Sequence, residues 1–403
     1  MEVMPAAAAS SSPGPSTVDS AMSRDTSGSE GGVGSSAREW KWLFGQMQAG
    51  STRMGARGGG GDAGRRGRGA SRGGSASRGG GVQRSTQHRQ AGPSDSPGGA
   101  LLALVPTSSS DALSRIRHKI LTTPLPPDTV LSPTGTTYRS IVWKLLLDIG
   151  SLDIASYLSL VAKGKSPSHD KIRNDTFRTL ATDQGFKERV KEEKLIRLLD
   201  AFVWKFNRAE EGDEPEADGV YEFSYVQGMN VLAAPFLYTC HSEVEAFRCF
   251  SRFIEYCCPL YVQPTLAGVH RGLQLLDRCL EILDAPLYTH LRSKNLSAEI
   301  YAFPSVMTLC ACTPPLPEVL QLWDFLLAFG VHFNVLCIVA QLHIMRADLL
   351  DSTSPMKLLR HLPPLDARKI INVTVTLARD VPKDLFEELA RHPYHPDSVV
   401  GLT

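Results

Sequence analysis

Two short polar stretches stand out in an otherwise apolar chain body. The first is Lys171-Ile172-Arg173-Asn174-Asp175-Thr176-Phe177-Arg178-Thr179. On a helix, Asp175 and Arg178 are i, i+3 neighbours, and Thr179 lies at i+4 from Asp175. A carboxylate so placed can hold a guanidinium and aim it, with Ile172 and Phe177 read as the apolar anchors of the segment. The plainer reading is a surface ion pair worth little. The second stretch is Tyr225-Val226-Gln227-Gly228-Met229-Asn230, which runs into the apolar Val231-Leu232-Ala233-Ala234-Pro235-Phe236-Leu237. A Gln amide carries donors and an acceptor on one end, and Gly228 beside it permits close backbone approach by a ligand or another chain. Here the plainer reading is a turn leading into a core helix.

The elements that must hold these stretches are helices. Leu195, Leu198, Leu199, Phe202, Val203 and Phe206 recur at helical spacing. So do Val244, Phe247, Phe250 and Ile254, then Leu266, Val269, Leu273, Leu276, Leu280 and Leu283. Val319, Leu322, Trp323 and Leu326 follow. Residues 333–350 read as one long apolar-periodic stretch, and Ile370, Val373 and Leu377 mark a late helix. Pro124, Pro259, Pro286, Pro304, Pro314-Pro315 and Pro363-Pro364 read as helix breaks. No convincing strand alternation occurs. The expectation is an all-α domain of many helices and short loops over about 112–395.

Composition separates this body from what precedes it. Of 34 Gly in the 403-residue chain, 23 lie before position 101. Residues 1–111 are Ser, Gly, Ala, Pro and Arg with little apolar material, and they predict a low-complexity tail that cannot offset the entropy of ordering. Residues 1–110 hold 12 Lys and Arg against 7 Asp and Glu, whereas residues 111–403 hold 31 against 35. A slightly acidic body is excluded from binding nucleic acid by bulk charge. The tail carries Arg-Gly-Gly repeats at Arg57, Arg72 and Arg78, but no aromatic residue lies between Phe44 and Tyr138 to stack a base. Nucleic acid is therefore not the expected partner. Trp40, Trp42 and Phe44 form an aromatic island that reads either as a docking motif or as a chance cluster.

Other features point to a soluble intracellular chain. All eight Cys lie in the body without a C-x-x-C pair, and they read as buried free thiols. The start lacks a basic region and an apolar core of signal-peptide length, and no run of about 18 apolar residues could span a membrane. His392 and His395 read as a surface pair. Asp324, on an apolar helix, reads as a capping or buried paired group. Ser12, Ser96, Ser132 and Ser354 each precede a Pro and are candidate phosphorylation sites. Residues 210–219 carry six acids, read as a solvated insertion or as a steering surface for a basic partner.

At this point the residues resemble a known family. Ile172-x-x-Asp175-x-x-Arg178 resembles the arginine-finger motif of the TBC-domain GTPase-activating proteins, and Tyr225-x-Gln227-Gly228-Met229 resembles their glutamine-finger motif. The two occur in the family's order, 49 positions apart between Arg178 and Gln227. Arg139-Ser140-Ile141-Val142-Trp143-Lys144-Leu145-Leu146 resembles the domain's opening helix, and Leu322-Trp323-Asp324 a later one. Tyr138 and the Ser132-Pro133-Thr134-Gly135 insertion depart from the family pattern at the domain's start. The resemblance sets a TBC domain at 112–350, with helices of 351–403 completing it. The wording around both fingers is most similar to the fungal mitotic-exit and septation checkpoint branch.

The resemblance implies an enzyme regulator, not an enzyme in its own right. Its partner would be a Rab-like small GTPase, with a scaffold subunit as a further partner and a cytoplasmic, spindle-pole location. Arg178 would stabilise charge on the transferring phosphoryl group, and Gln227 would orient the attacking water. Asp175, Thr179, Tyr225 and Gly228 would support them. No metal or cofactor is implied for this chain, since GTP and Mg²⁺ belong to the GTPase. An Arg supplied in trans is worth about 10³–10⁵ in rate, or roughly 4–7 kcal/mol of barrier. Two rival readings stay open: a TBC-fold scaffold that binds a GTPase without accelerating it, and an RNA-associated protein acting through the Arg-Gly tail.

Overall fold

The computed structural model describes residues 107–207, 221 and 223–399. The aromatic island, the Arg-Gly repeats, the acidic residues 210–219, Ser12 and Ser96 lie outside the described residues. Within them the chain is helical. In order come α1 (Thr107–Thr122), α2 (Tyr138–Leu146), α3 (Ile154–Ala162), α4 (His169–Thr176), α5 (Gln184–Arg189) and α6 (Glu192–Phe206). Then come α7 (Met229–Thr239), α8 (Glu243–Cys257), α9 (Ala267–Leu283), α10 (Ala285–Ser293), α11 (Ala298–Tyr301) and α12 (Phe303–Met307). The last are α13 (Leu316–Phe329), α14 (Phe333–Ile344), α15 (Arg346–Asp351), α16 (Pro355–Arg360), α17 (Ala367–Leu377) and α18 (Lys383–Arg391). No strand forms among the described residues; Leu131 and Thr137 make one isolated bridge. Because α1 starts at Thr107, position 112 falls inside a helix.

The helices form where an apolar stripe meets good capping. In α6 the stripe Leu195, Leu198, Leu199, Phe202 and Val203 is buried, while Glu192 and Glu193 occupy the first turn, where the helix dipole favours negative charge. Asp284, Asp366, Ser242 and Thr137 each accept a backbone N–H at a helix start. Helix α6 packs on α3, α4, α7 and α8, and α14 packs on α9 and α17. Helix α13 joins α1, α2 and α17. Prolines mostly open helices here: Pro286 and Pro304 sit in the first turns of α10 and α12. Pro235 instead lies inside α7, where it is buried.

A buried ion network ties the opening helix to α13. Arg139 Nε donates to Asp324 Oδ1 at 3.0 Å, its Nη1 to Asp128 Oδ1 at 2.8 Å, and Trp143 Nε1 to Asp324 Oδ1 at 2.7 Å. Burial pushes the Asp324 carboxyl up, opposed by Arg139 and the Trp143 N–H. Around this network Trp143, Phe236, Phe253 and Trp323 pack with ring centroids 5.3–6.0 Å apart. Asp324 is thus the buried paired group that its setting suggests.

Several expectations need correction. The apolar stretch 333–350 is two helices, α14 and α15, meeting at Met345 (φ −93°, ψ 8°). The change of direction lets Arg346 Nε donate to Asp284 Oδ2 at 2.7 Å. Ser132 is buried in the turn before α2. Its hydroxyl pairs with Thr134 Oγ1 at 2.8 Å, so it is closed to modification in this fold. His392 is fully buried. It continues the stripe of Leu385 and Leu389 by seven and three positions, and its Nε2 accepts from the Tyr261 hydroxyl at 2.9 Å. Six of the eight Cys are buried and all are free; Cys312 is exposed and Cys257 half-buried.

Buried ionisable groups set the stability in two testable places. Asp324→Ala leaves the Arg139 guanidinium buried with a single partner, which should cost about 3–5 kcal/mol in urea unfolding. The second concerns His332, whose Nε2 is buried without a partner. Burial lowers its pKa from 6.5 to about 4. The folded value lies below the unfolded one, so stability is intact above about pH 6.5 and is lost as pH falls toward 4. Between pH 7 and 5 the loss from this residue is about 2 kcal/mol. Unfolding at both pH values should show a correspondingly smaller drop for His332→Phe.

Candidate functional site

The two polar stretches meet at one carboxylate. Asp175 lies near the end of α4, whose Ile172 is fully buried, and Asp175 is itself only 7 % exposed. Arg178 follows in the turn beyond the helix, and its Nη2 donates to Asp175 Oδ1. From the other stretch, 50 positions on, the Tyr225 hydroxyl donates to Asp175 Oδ2 at 2.9 Å. Burial, then the Asp175 charge and its hydrogen bond, push the Tyr225 phenol well above its usual range, so it stays a donor. Hydrogen bonds to a charged partner are worth about 1.5–3 kcal/mol each when buried. The Arg178 contact contributes less, because that side chain is 55 % exposed. Asp175 is therefore a buried holder, not half of a surface ion pair.

Gln227 sits at the exposed apex of a tight turn. Met229 N–H donates to the Val226 carbonyl at 3.1 Å, and Gly228 takes φ +104° and ψ −23° at the third position of that turn. Only glycine adopts this conformation without strain. A Cβ at Gly228 would also sit 3.0 Å from Met307 Cε, at the end of α12. Helix α7 then starts at Met229, so the turn is anchored directly in the core. The reading of a turn leading into a core helix is right for the backbone, and it leaves the Gln227 side chain facing solvent.

Thr179 is buried, and its hydroxyl donates to the Asp175 carbonyl at 3.1 Å. Phe177 departs from its expected role as an anchor: it is 68 % exposed. Five residues separate it from Ile172, which puts the two about 140° apart around a helix, so only one can face the core. Two contributors went unread in the sequence. Asn230, buried in the first turn of α7, bonds Thr179 Oγ1 at 2.8 Å and the Gly228 N–H at 3.1 Å. An amide at the head of an apolar run was its signal. Met307 carried none, since its contact with Gly228 is purely tertiary. Among the described residues no three His, Cys, Asp or Glu are placed to hold a metal ion, and no helix is long and apolar enough to cross a membrane.

The site is thus a solvent-facing Arg and a solvent-facing Gln on one buried, hydrogen-bonded platform, in an all-helical fold. Comparison with known proteins places the chain that carries it in a family. The Rab-GTPase-TBC domain model matches residues 136–350. Cell division control protein 16 of Schizosaccharomyces pombe is 46% identical over 299 residues, covering 74% of this chain and 93% of that protein. Mitotic check point protein BUB2 of Saccharomyces cerevisiae is 37% identical over 301 residues, covering 74% and 97%. The crystal structure of the Ypt/Rab-GAP domain of Gyp1p shares the fold with a TM-score of 0.54 at 16% sequence identity, over 66% of this chain and 92% of that one. The chain belongs to the Rab-GTPase-TBC domain family and is a regulator of small GTPases.

Gly228→Ala tests the turn. Left-handed backbone strain should cost about 1–3 kcal/mol in urea unfolding. The displaced Gln227 should lower any GTPase acceleration at least about tenfold even where the variant is fully folded.

Proposed function

We propose that this chain accelerates GTP hydrolysis by a Rab-like small GTPase, inserting Arg178 and Gln227 into the partner's nucleotide site. The observation that carries the reading is the joint presentation of both side chains from the Asp175 platform. Charge builds on the phosphoryl oxygens as GTP is cleaved. A planar, permanently charged guanidinium can bridge those oxygens in a site closed to water. Only Nη2 of Arg178 makes a hydrogen bond among the described residues, which leaves Nε and Nη1 for a ligand. The Gln227 amide can accept from the attacking water and donate to a phosphoryl oxygen at once. Asp175 and Tyr225 hold the arm of Arg178, and Gly228 shapes the turn that carries Gln227. GTP and Mg²⁺ come with the GTPase, so this chain turns nothing over alone.

The relatives' names, cell division control and mitotic check point protein, support a duty in mitotic exit or cytokinesis. A scaffold subunit and action at the spindle pole belong to the same reading. The test is single-turnover GTP hydrolysis by a panel of Rab-like GTPases with wild type, Arg178→Ala and Gln227→Ala. At least ~10³-fold acceleration of one GTPase, lost in both variants, is the expected result. Tight binding of a GTP-loaded partner with no acceleration would favour a non-catalytic scaffold instead.

A further inference from the structure

Asn230 touches neither finger, yet it bonds the residue that follows each one. Thr179 comes directly after Arg178, and its Oγ1 accepts from Asn230 Nδ2 at 2.8 Å. Gly228 comes directly after Gln227, and its N–H donates to Asn230 Oδ1 at 3.1 Å. The second Nδ2 proton points to the Asp175 carbonyl at 3.3 Å. The amide is 4 % exposed and sits in the first turn of α7. Its bonds thus divide by side, with the donors serving the arginine segment and the acceptor serving the glutamine turn.

We infer that Asn230 is the positioning residue that sets the separation of the two fingers, clamping Thr179 and Gly228 so that Arg178 and Gln227 move as one rigid unit. The inference rests on the proposed catalytic use of those fingers. Among side chains of this size only an amide can fill the role. A carboxylate has no donor for Thr179 or the Asp175 carbonyl, and a leucine has neither donor nor acceptor. The Tyr225–Asp175 bond joins the same two segments, but it fixes Asp175, three residues before Arg178. Beyond the finger, Thr179 bonds back to Asp175 and Thr176 within its own segment, which leaves that side untied to the glutamine turn. Asn230 closes the loop on the far side. With both in place the Arg178 backbone is tethered before and after the residue, and the Gln227 peptide is held from its own C-terminal neighbour. The benefit is entropic: a finger already placed gives up little freedom when the GTPase arrives.

The test uses Asn230→Asp, which keeps shape and acceptor but loses the donors, and Asn230→Ala, with Thr179→Val removing the arginine half alone. In single-turnover assays at varied GTPase concentration, both Asn230 variants should lower the limiting rate about 10²-fold, with half-saturation changed less than about threefold. In an Arg178→Ala background the Asn230 substitutions should add little further loss, since the fingers act as a unit. A loss seen only in half-saturation, or one fully additive with Arg178→Ala, would overturn the inference. A second readout needs no GTPase. Amide exchange at Gly228 in the free wild-type chain should be slow, and it should speed at least about tenfold in Asn230→Ala but not in Thr179→Val. Unchanged exchange would overturn the clamp itself. Wild type that accelerates no GTPase while Gly228 exchange responds as described would instead count against the catalytic reading and leave the clamp standing.

Discussion

The structure of the site depends on one buried carboxylate. Asp175 is shared between the Arg178 guanidinium and the Tyr225 hydroxyl, groups that come from segments 50 positions apart. A carboxylate buried at this depth is tolerated only with donors on both oxygens. That requirement brings the two polar stretches together and keeps them there. It also explains why Asp175 stands on the buried face of its helix, beside Ile172 and Thr176. The partner stretch, in turn, must enter α7 without slack.

A second buried carboxylate makes an instructive contrast. Asp324 is held by an arginine and an indole N–H where Asp175 has an arginine and a phenol, but every partner is internal, and Arg139 is nearly as buried as the acid it serves. That network joins α2 to α13 and closes the aromatic cluster of Trp143 and Trp323. At Asp175 the arginine is left half in solvent. The same chemistry thus makes a structural rivet in one place and a presented side chain in the other. The difference is whether the guanidinium keeps free N–H groups at the surface.

Much of this was legible in the sequence. One-sided helices such as α6 and α9 announce themselves by apolar spacing, because burial on one face needs nothing beyond the helix itself. The finger stretches stood out as polar interruptions in apolar surroundings, and their spacing carried the family resemblance that the comparisons support. What stayed hidden was set by distant contacts. His392 looked like half of a surface pair, although its spacing from Leu385 and Leu389 placed it on the buried face. Its hydrogen-bond partner, Tyr261, is 131 positions away. Phe177 looked like an anchor because it is apolar, but it lies about 140° around the helix from Ile172, which takes the core-facing position. The break at Met345 interrupts an unbroken apolar pattern, so periodicity ran through it. Asn230 was visible as a residue, but its bonds on two sides were not.

The central claim is that Arg178 and Gln227 act on the partner's nucleotide from a preset platform. The most direct measurement is capture of a GDP-loaded Rab-like GTPase in the presence of aluminium fluoride, which mimics the phosphoryl group in transfer. The account predicts a stable complex that needs the fluoride, forms with wild type, and is lost with Arg178→Ala and with Gln227→Ala. A complex that forms equally well without fluoride, or that survives both substitutions, would contradict it.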